Sequence, residues 1–411
     1  MRILVVSQYF WPESFVINDL VRAVSRAGHV TTVVTGKPNY PGGQIAAGYA
    51  KRGVTRETFA DDVEVIRVPL HPRGKANALG LALNYLSFVF SATLRLPRLM
   101  RGREFDAVFF FGLSPLTAAL PAVLIAWLKR AHLALWIQDL WPDALSNTGL
   151  VKSRILLGIV GLMVRFVYAR ADTLLLQSEA FVGPVSSYAK AGKIVYFPNP
   201  APDFEDTEER PLPGDVEVQF ENCFAVVFAG NLGRVQSLKT IVETAKLLRG
   251  HAEIRLIIAG TGSEAEGLQR SVAENNLSNL RLIGLLDRDL MPALFRQANA
   301  LLVTLRDAPT LGLVIPSKVQ AYMQAGKPII AALNGEGARI IEAAGAGLVV
   351  PAEDSASLAQ SILALYAMPD DKRRAMGTAG RRYFEAHFEA GKAARRLIDI
   401  LEGRMGIQQR G

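Results

Sequence analysis

The chain has 411 residues, half of them apolar and a fifth charged, with a net charge of +8. That length exceeds one compact core and fits two domains of ordinary size, and the composition is globular and excludes disordered and low-complexity classes. The single cysteine, Cys223, has no partner, and Met1-Arg2 runs straight into an apolar strand with no cleavable leader, so a reducing, cytoplasmic setting is expected.

In chain order, "RILVVSQ" predicts an opening strand, a helix follows near Phe15 to Ala27, and "HVTTVVTG" and "VEVIRVPL" predict two more strands. Next comes "ANALGLALNYLSFVFSATLRLPRLMRGR", whose uncharged part, Ala76 to Leu94, predicts a helix flanked by Arg73, Lys75, Arg95, Arg98, Arg101 and Arg103. It reads equally as a helix lying on an anionic membrane and as a core helix with a solvated basic end, and the two are compatible. Ala107 to Leu128 is also uncharged. It predicts a buried strand, "AVFFFG", and a helix opened by Ser114-Pro115 rather than a membrane span. "HLALWIQ" and "TLLLQS" continue the alternation.

After "YFPNPAPDFEDTEERPLPGD", a Pro-rich acidic linker without periodicity, the pattern restarts with "FAVVFAG", "EIRLIIAG", "LRLIG", "ALLVTL", "PIIAAL" and "GLVV". The expected class is α/β, with two doubly wound Rossmann-like domains facing a central cleft and ligands at the carboxyl ends of the strands. The expected division is 1–203, 204–385, and a C-terminal helix over 386–411 packing back on the first domain.

The site signals sit at strand ends. In "FAGNLGRVQSLKTIVETAKLL" a strand stops at Ala229, Gly230 and Gly233 permit a tight turn, and a helix begins near Leu238. Such a turn either binds phosphate through its amides and the helix dipole, with Arg234 and Lys239 adding charge, or is purely structural. "IIAGTGSEAEGL", with Gly260 and Gly262, is a second turn of this kind. In "GLVIPSKVQAYMQAGKPIIAAL" the helix opens at Pro316-Ser317 and closes at Gly326, and the spacing of Lys318, Ala321 and Gln324 predicts a shared face. A lysine near the positive end of a helix is unfavourable without an anion beside it, so Lys318 either meets a phosphate ligand or is solvated. "WIQDLWPDA" ends another strand, where a parallel-sheet protein keeps its chemistry: Asp139 and Trp141 either face the ligand, or Asp139 caps the next turn while both tryptophans fill core. The five histidines are scattered and no acidic cluster has ligand spacing, so no metal is expected. Basic residues are not interleaved with exposed aromatics as single-strand binders require, and no nucleic-acid partner is expected.

These residues resemble the retaining GT-B glycosyltransferases, the class that includes sucrose synthases and bacterial mannosyl and fucosaminyl transferases. "SQYFWPES" with "AVSRAGHVTTVVTGKPNYPGG" resembles the family's opening strand, acceptor loop and second strand. "FPNPAPDF" resembles its pre-linker segment, and "FAGNLGRVQSL", "IAGTGSEAEGL" and "PSKVQAYMQAGKPIIA" resemble its nucleotide-domain turns and donor helix. "QDLWP" and "GNLG" are similar to the N-acetyl-L-fucosamine transferase branch of surface polysaccharide assembly.

The resemblance implies transfer, with retention, of N-acetyl-L-fucosamine or a related amino or deoxy sugar. The donor would be a nucleotide diphosphate sugar, UDP-linked, and the acceptor a lipid-linked saccharide at the inner face of the cell membrane, without metal or other cofactor. Asp139, Arg234, Lys239 and Lys318 would serve catalysis. Gly230, Asn231, Gly233, Gln236, Gly260, Gly262, Leu285, Ser317 and Gln324 would hold the donor, and Asn18, Lys37, Tyr40 and Trp141 the acceptor. The chain departs from the family pattern at Leu313 and Ala321, where two glutamates are usual. It departs again at Asn231 and Gln236, where an Arg and a Lys are common, and at Gln138, where many members carry His. A 2-epimerase of the same fold, which would need no acceptor, and a non-catalytic partner of another transferase are the alternative readings.

Overall fold

The computed structural model describes all residues except 61, 75–77, 114, 144, 146–152, 202–209 and 407–411. The expected cap Ser114, the flanking Lys75, the first residues of the predicted basic-flanked helix and the acidic centre of the linker lie outside the described residues. Contacts divide the chain into one unit of Met1–Pro200 with Ala390–Gly411 and another of Ala201–Glu389, against the expected boundaries at 203/204 and 385/386.

The first unit is built on eight strands: β1 (Arg2–Val6), β2 (Val30–Gly36), β3 (Thr55–Phe59), β4 (Val63–Val68), β5 (Ala107–Gly112), β6 (His132–Ile137), β7 (Thr173–Leu176) and β8 (Ile194–Tyr196), in the order β3-β4-β2-β1-β5-β6-β7-β8. All neighbours pair in parallel except β3, which runs antiparallel to β4. The central strands are apolar along their whole length because helices cover both faces, as the complete burial of "AVFFFG" shows. β3 and β8 escape the sequence pattern: "TRETF" is an edge strand with alternating polar residues, and β8 has three residues.

Helix α1 (Val16–Arg26) and the last helix of the unit, Ala390–Met405, cover one face. Ile17, Leu20, Val21 and Val24 recur at helical spacing and meet Leu397, Ile398 and Leu401. Arg396 ties the last helix to this unit by donating to the Tyr196 carbonyl at 2.9 Å. The expected start of that helix at residue 386 is corrected. Asp370–His387 is a separate helix of the second unit, where the Phe388 carbonyl accepts from the Ala201 amide. The connections through α2 (Ala78–Leu99), α3 (Leu120–Lys129) and α4 (Arg154–Arg170) run in the opposite direction along the sheet, so right-handed crossover places them on the other face.

The second unit has six parallel strands, β9 (Phe224–Ala229), β10 (Ile254–Ala259), β11 (Leu280–Gly284), β12 (Ala300–Thr304), β13 (Ile329–Ala332) and β14 (Gly347–Val350), in the order β11-β10-β9-β12-β13-β14. Two apolar clusters, one per face, sandwich this sheet. The order reverses between β9, which is followed by β10 on one side, and β12 on the other, so the turn after β9 lies at the switch point where parallel sheets bind ligands.

Candidate functional site

The turn after β9 is built by close backbone packing. Gly230 has φ +132° and Gly260, after β10, has φ +146°; a Cβ on Gly260 would lie 1.9 Å from the Gly230 carbonyl oxygen. Only glycine permits that approach. The Leu232 amide donates to the Thr261 carbonyl at 2.8 Å and the Gly230 amide to Ala259 at 2.9 Å, so these two amides are spent holding the turns together. Tyr322, from α6 (Ser317–Gln324), pins the end of β9: its hydroxyl accepts from the Ala229 amide at 2.9 Å and donates to the Ala229 carbonyl at 3.2 Å. Beyond the turn, Thr304 Oγ1 donates to the Gln236 carbonyl, and Ser237, at φ +47°, opens α5 (Leu238–Leu247).

Lys318 is the group this turn is arranged around. Its Nζ sits 4.0 Å from the centre of the Phe228 ring and donates to Gln236 Oε1. Its Cε occupies the space a Gly230 side chain would need, 2.7 Å from the ideal Cβ position. Burial pulls its pKa down to about 7. This lysine is desolvated beside a ring face, a neutral amide and the positive end of a helix, and among the described residues no acidic side chain pairs with it.

Other expected donor residues are placed differently. Arg234 is 82% exposed and pairs with Glu264 at 3.5 Å, so its charge is directed to the second glycine turn's helix rather than to Lys318. Lys239 and Leu285 lie on the surface. Asn231 packs its side chain within 2.8 Å of an ideal Gly233 Cβ, so it shapes the turn. Ser317 is exposed at the helix start, whereas Gln324 is buried. The shared face expected for Lys318, Ala321 and Gln324 is corrected. Six residues of α-helix turn about 600° and rise about 9 Å, which leaves Gln324 roughly 120° off and at the far end of α6.

In the first unit the strand ends carry two polar networks. Gln8 Nε2 donates to Asn84 Oδ1 at 2.8 Å, Asn84 Nδ2 donates to the His71 carbonyl at 2.6 Å and to Asn39 Oδ1 at 3.1 Å, and Arg73 lies 5.0 Å over the Tyr40 ring. Glu13 is buried beneath, with Oε1 accepting from the Asn39 and Tyr40 amides, both at 2.7 Å. Desolvation raises its pKa while those amides oppose the rise. Sequence reading passed over Glu13, although its place in "WPES" just after β1 was a usable signal.

Tyr40, 44% exposed beside Arg73, and the partly exposed Trp141 and Asp139 remain on the surface. Asp139 lies close enough to Tyr85 to add to the rise that burial gives its phenol. Asn18 and Lys37 are corrected. Asn18 accepts from the Trp11 amide and donates to the Glu13 carbonyl. Lys37 has no exposed surface and donates to Thr55 Oγ1, among Arg67 and Glu57. Both brace the loop from within. Trp136 is core, donating to the Phe197 carbonyl at 3.1 Å, whereas Trp141 is not.

The second network is built around Gln138. Gln138 and Asn199 exchange two bonds of 2.9 Å, Asn199 Nδ2 also donates to Gln177 Oε1 at 3.0 Å, and Gln177 Nε2 donates to the Gln138 carbonyl at 2.6 Å. These amides tie together the ends of β6, β7 and the segment after β8. Asn199→Ala leaves buried amides unpaired and is expected to lower stability by about 1–3 kcal/mol. Urea unfolding reads this directly, and an unchanged midpoint would refute the network's structural role.

Both units match known folds and families. The chain superposes on sucrose-phosphate synthase from Thermosynechococcus elongatus with a TM-score of 0.69 at 16% identity, covering 99% of this chain and 100% of that one. It superposes on HepE from Anabaena, in complex with UDP, with a TM-score of 0.66 at 14% identity, covering 98% and 100%. The family models that match are the glycosyl transferase 4-like domain, over residues 14–200, and glycosyl transferases group 1, over residues 223–368. The chain is a GT-B glycosyltransferase. The transferase is also 24% identical over 420 residues to the Escherichia coli K12 protein named as colanic acid biosynthesis glycosyl transferase WcaI, covering 98% of this chain and all of that protein.

Proposed function

We propose that the transferase moves a sugar from a nucleotide diphosphate donor, UDP-linked, to a lipid-linked saccharide acceptor at the inner face of the cell membrane, in surface polysaccharide assembly, with retention at the anomeric carbon. The second unit holds the donor and the first unit the acceptor. The observation that carries the reading is Lys318, a buried lysine with no acidic partner among the described residues, beneath a glycine turn at the switch point of a parallel sheet. HepE, similar in fold, was solved with UDP, and the name of the E. coli relative speaks of colanic acid biosynthesis. N-acetyl-L-fucosamine or a related amino or deoxy sugar fits the resemblance of "QDLWP" and "GNLG" to that branch.

Transfer with retention demands orientation and stabilisation of the departing diphosphate more than a strong base. A protonated Lys318 supplies charge to the leaving phosphate, whose own oxygen takes the acceptor proton. Asp139, Trp141 and Tyr40 offer hydrogen bonds and apolar faces to the acceptor. The test is a panel of nucleotides followed by nucleotide sugars. UDP at a hundred times its dissociation constant raises stability by about 2.7 kcal/mol, and the matching UDP-sugar labels a lipid-linked acceptor. Stabilisation by no nucleoside diphosphate, or turnover of the donor without an acceptor, refutes the reading.

Transfer is expected to proceed without metal. Among the described residues no group of three His, Cys, Asp or Glu side chains is placed to hold an ion. Full activity should survive chelator, and activity lost to chelator and restored by magnesium or manganese contradicts the expectation.

A further inference from the structure

The outer face of the first unit carries apolar surface that the transfer reaction does not use. On α4, Ile155, Ile159, Leu162 and Phe166 follow one another at steps of four, three and four residues, and all are exposed. On α2, Leu79, Leu83, Leu86, Phe90 and Leu94 repeat the same spacing and are likewise exposed. Trp127, at the end of α3, is 70% exposed. A groove of about 980 Å³ opens between α3 and α4, walled by Val123, Leu124, Trp127 and Phe166 and edged by Arg130 and Arg170. Among the described lining residues the one carboxylate, Asp172, accepts from the Leu133 amide at 2.8 Å. Surface of this kind marks a binding face.

α2 is long and apolar enough to cross a membrane, but its inner side is committed to the fold. Asn84, Phe88, Ala92 and Leu96 are buried, and Asn84 is bonded to Gln8, Asn39 and the His71 carbonyl. The helix therefore lies along the unit and shows its other side outward.

Charge selects the partner. α2, α3 and α4 carry Arg95, Arg98, Lys129, Arg165 and Arg170, and none of the chain's 38 carboxylates. A second copy laid on this face would set cation against cation, whereas acidic headgroups neutralise them while hydrocarbon receives the apolar stripes. Trp127 has the amphipathic ring favoured at that boundary. We infer that the α2–α3–α4 face is a docking surface for an anionic lipid bilayer, with the α4 stripe entering the hydrocarbon boundary and a lipid chain occupying the α3–α4 groove. This deepens the lipid-linked acceptor reading, on which it rests for its purpose.

The test is flotation of the full chain with phosphatidylcholine vesicles, with and without phosphatidylglycerol, in the absence of nucleotide. The wild type should bind the acidic vesicles and release them as salt rises. Ile159→Glu with Leu162→Glu and Phe166→Glu changes exposed positions only, so circular dichroism should be unchanged while binding is lost. Arg165→Gln with Arg170→Gln should weaken binding to acidic vesicles by about tenfold or more. Wild-type protein that ignores acidic vesicles, variants that bind as well as wild type, or a wild-type dimer that the glutamate variant makes monomeric each overturn the inference. Because no nucleotide is present, failure here leaves the donor assignment standing, and a protein that never binds UDP can still pass.

Discussion

Lys318→Ala should weaken UDP binding by roughly 10- to 150-fold while leaving uridine binding unchanged. The range is that of a lost charged hydrogen bond, about 1.5–3 kcal/mol. Calorimetric titration of both ligands into both proteins measures it, and equal losses for UDP and uridine would sink the phosphate assignment. Lys318→Met keeps the stem that packs beneath Gly230 and should show the same selective loss, which separates charge from packing.

The same lysine gives UDP binding a pH signature. In the free protein burial lowers its pKa to about 7, so above that pH it is mostly neutral. A diphosphate beside Nζ favours the ammonium, and binding takes up a proton. Affinity should therefore fall as pH rises above 7, by up to about tenfold per unit, until the pKa of the complex is reached. The phosphate's own second ionisation, near about 6, is complete in that window. Lys318→Ala should bind with a flat profile. Without ligand, the folded pKa lies below the unfolded value of about 10.4, so the unfolded chain binds more protons between those values. Stability from this group therefore rises with pH across that interval.

Gly260→Ala should unfold the second unit more easily by about 3 kcal/mol or more, and UDP binding should fail with it. Two causes add: an L residue is strained at φ +146°, and its Cβ would lie 1.9 Å from the Gly230 oxygen. Neither backbone can yield, because the Gly230 amide is bonded to Ala259 and the Gly260 amide to Gly284. For a unit of this size the loss corresponds to roughly 6–12 °C in Tm. Gly267→Ala is the control. That glycine lies in the helix Ala265–Glu274 with open space at its Cβ position, and alanine there should stabilise by about 0.4–1 kcal/mol. Similar changes at the two positions would show that the two turns do not interlock.

The alternation of apolar runs and helical patterns already contained both sheets, because a parallel strand covered on both faces is written as an uninterrupted apolar segment. β3 and β8 were hidden for the converse reason, one being a polar edge and the other three residues long. The glycine turns were legible because each fell between a strand and a helix, and Lys318 because a lysine at a helix's positive end needs an explanation. Those are local features, set by neighbours a few residues apart.

Which charges are desolvated, and toward what, was settled by residues far apart in sequence. Lys318 meets Gln236 across 82 positions, and Gln8 meets Asn84 across 76. Lys37 and Arg234 carry equal charges in the sequence, yet one is enclosed beside Thr55 and the other is 82% exposed beside Glu264. The sequence "ILLGIVGLMVRF" shows an apolar helix, and only its docking by Val164, Val167 and Tyr168 leaves Ile159, Leu162 and Phe166 outward. Periodicity determines an element and the width of its apolar face, whereas burial is a property of the neighbours that chain topology brings to it.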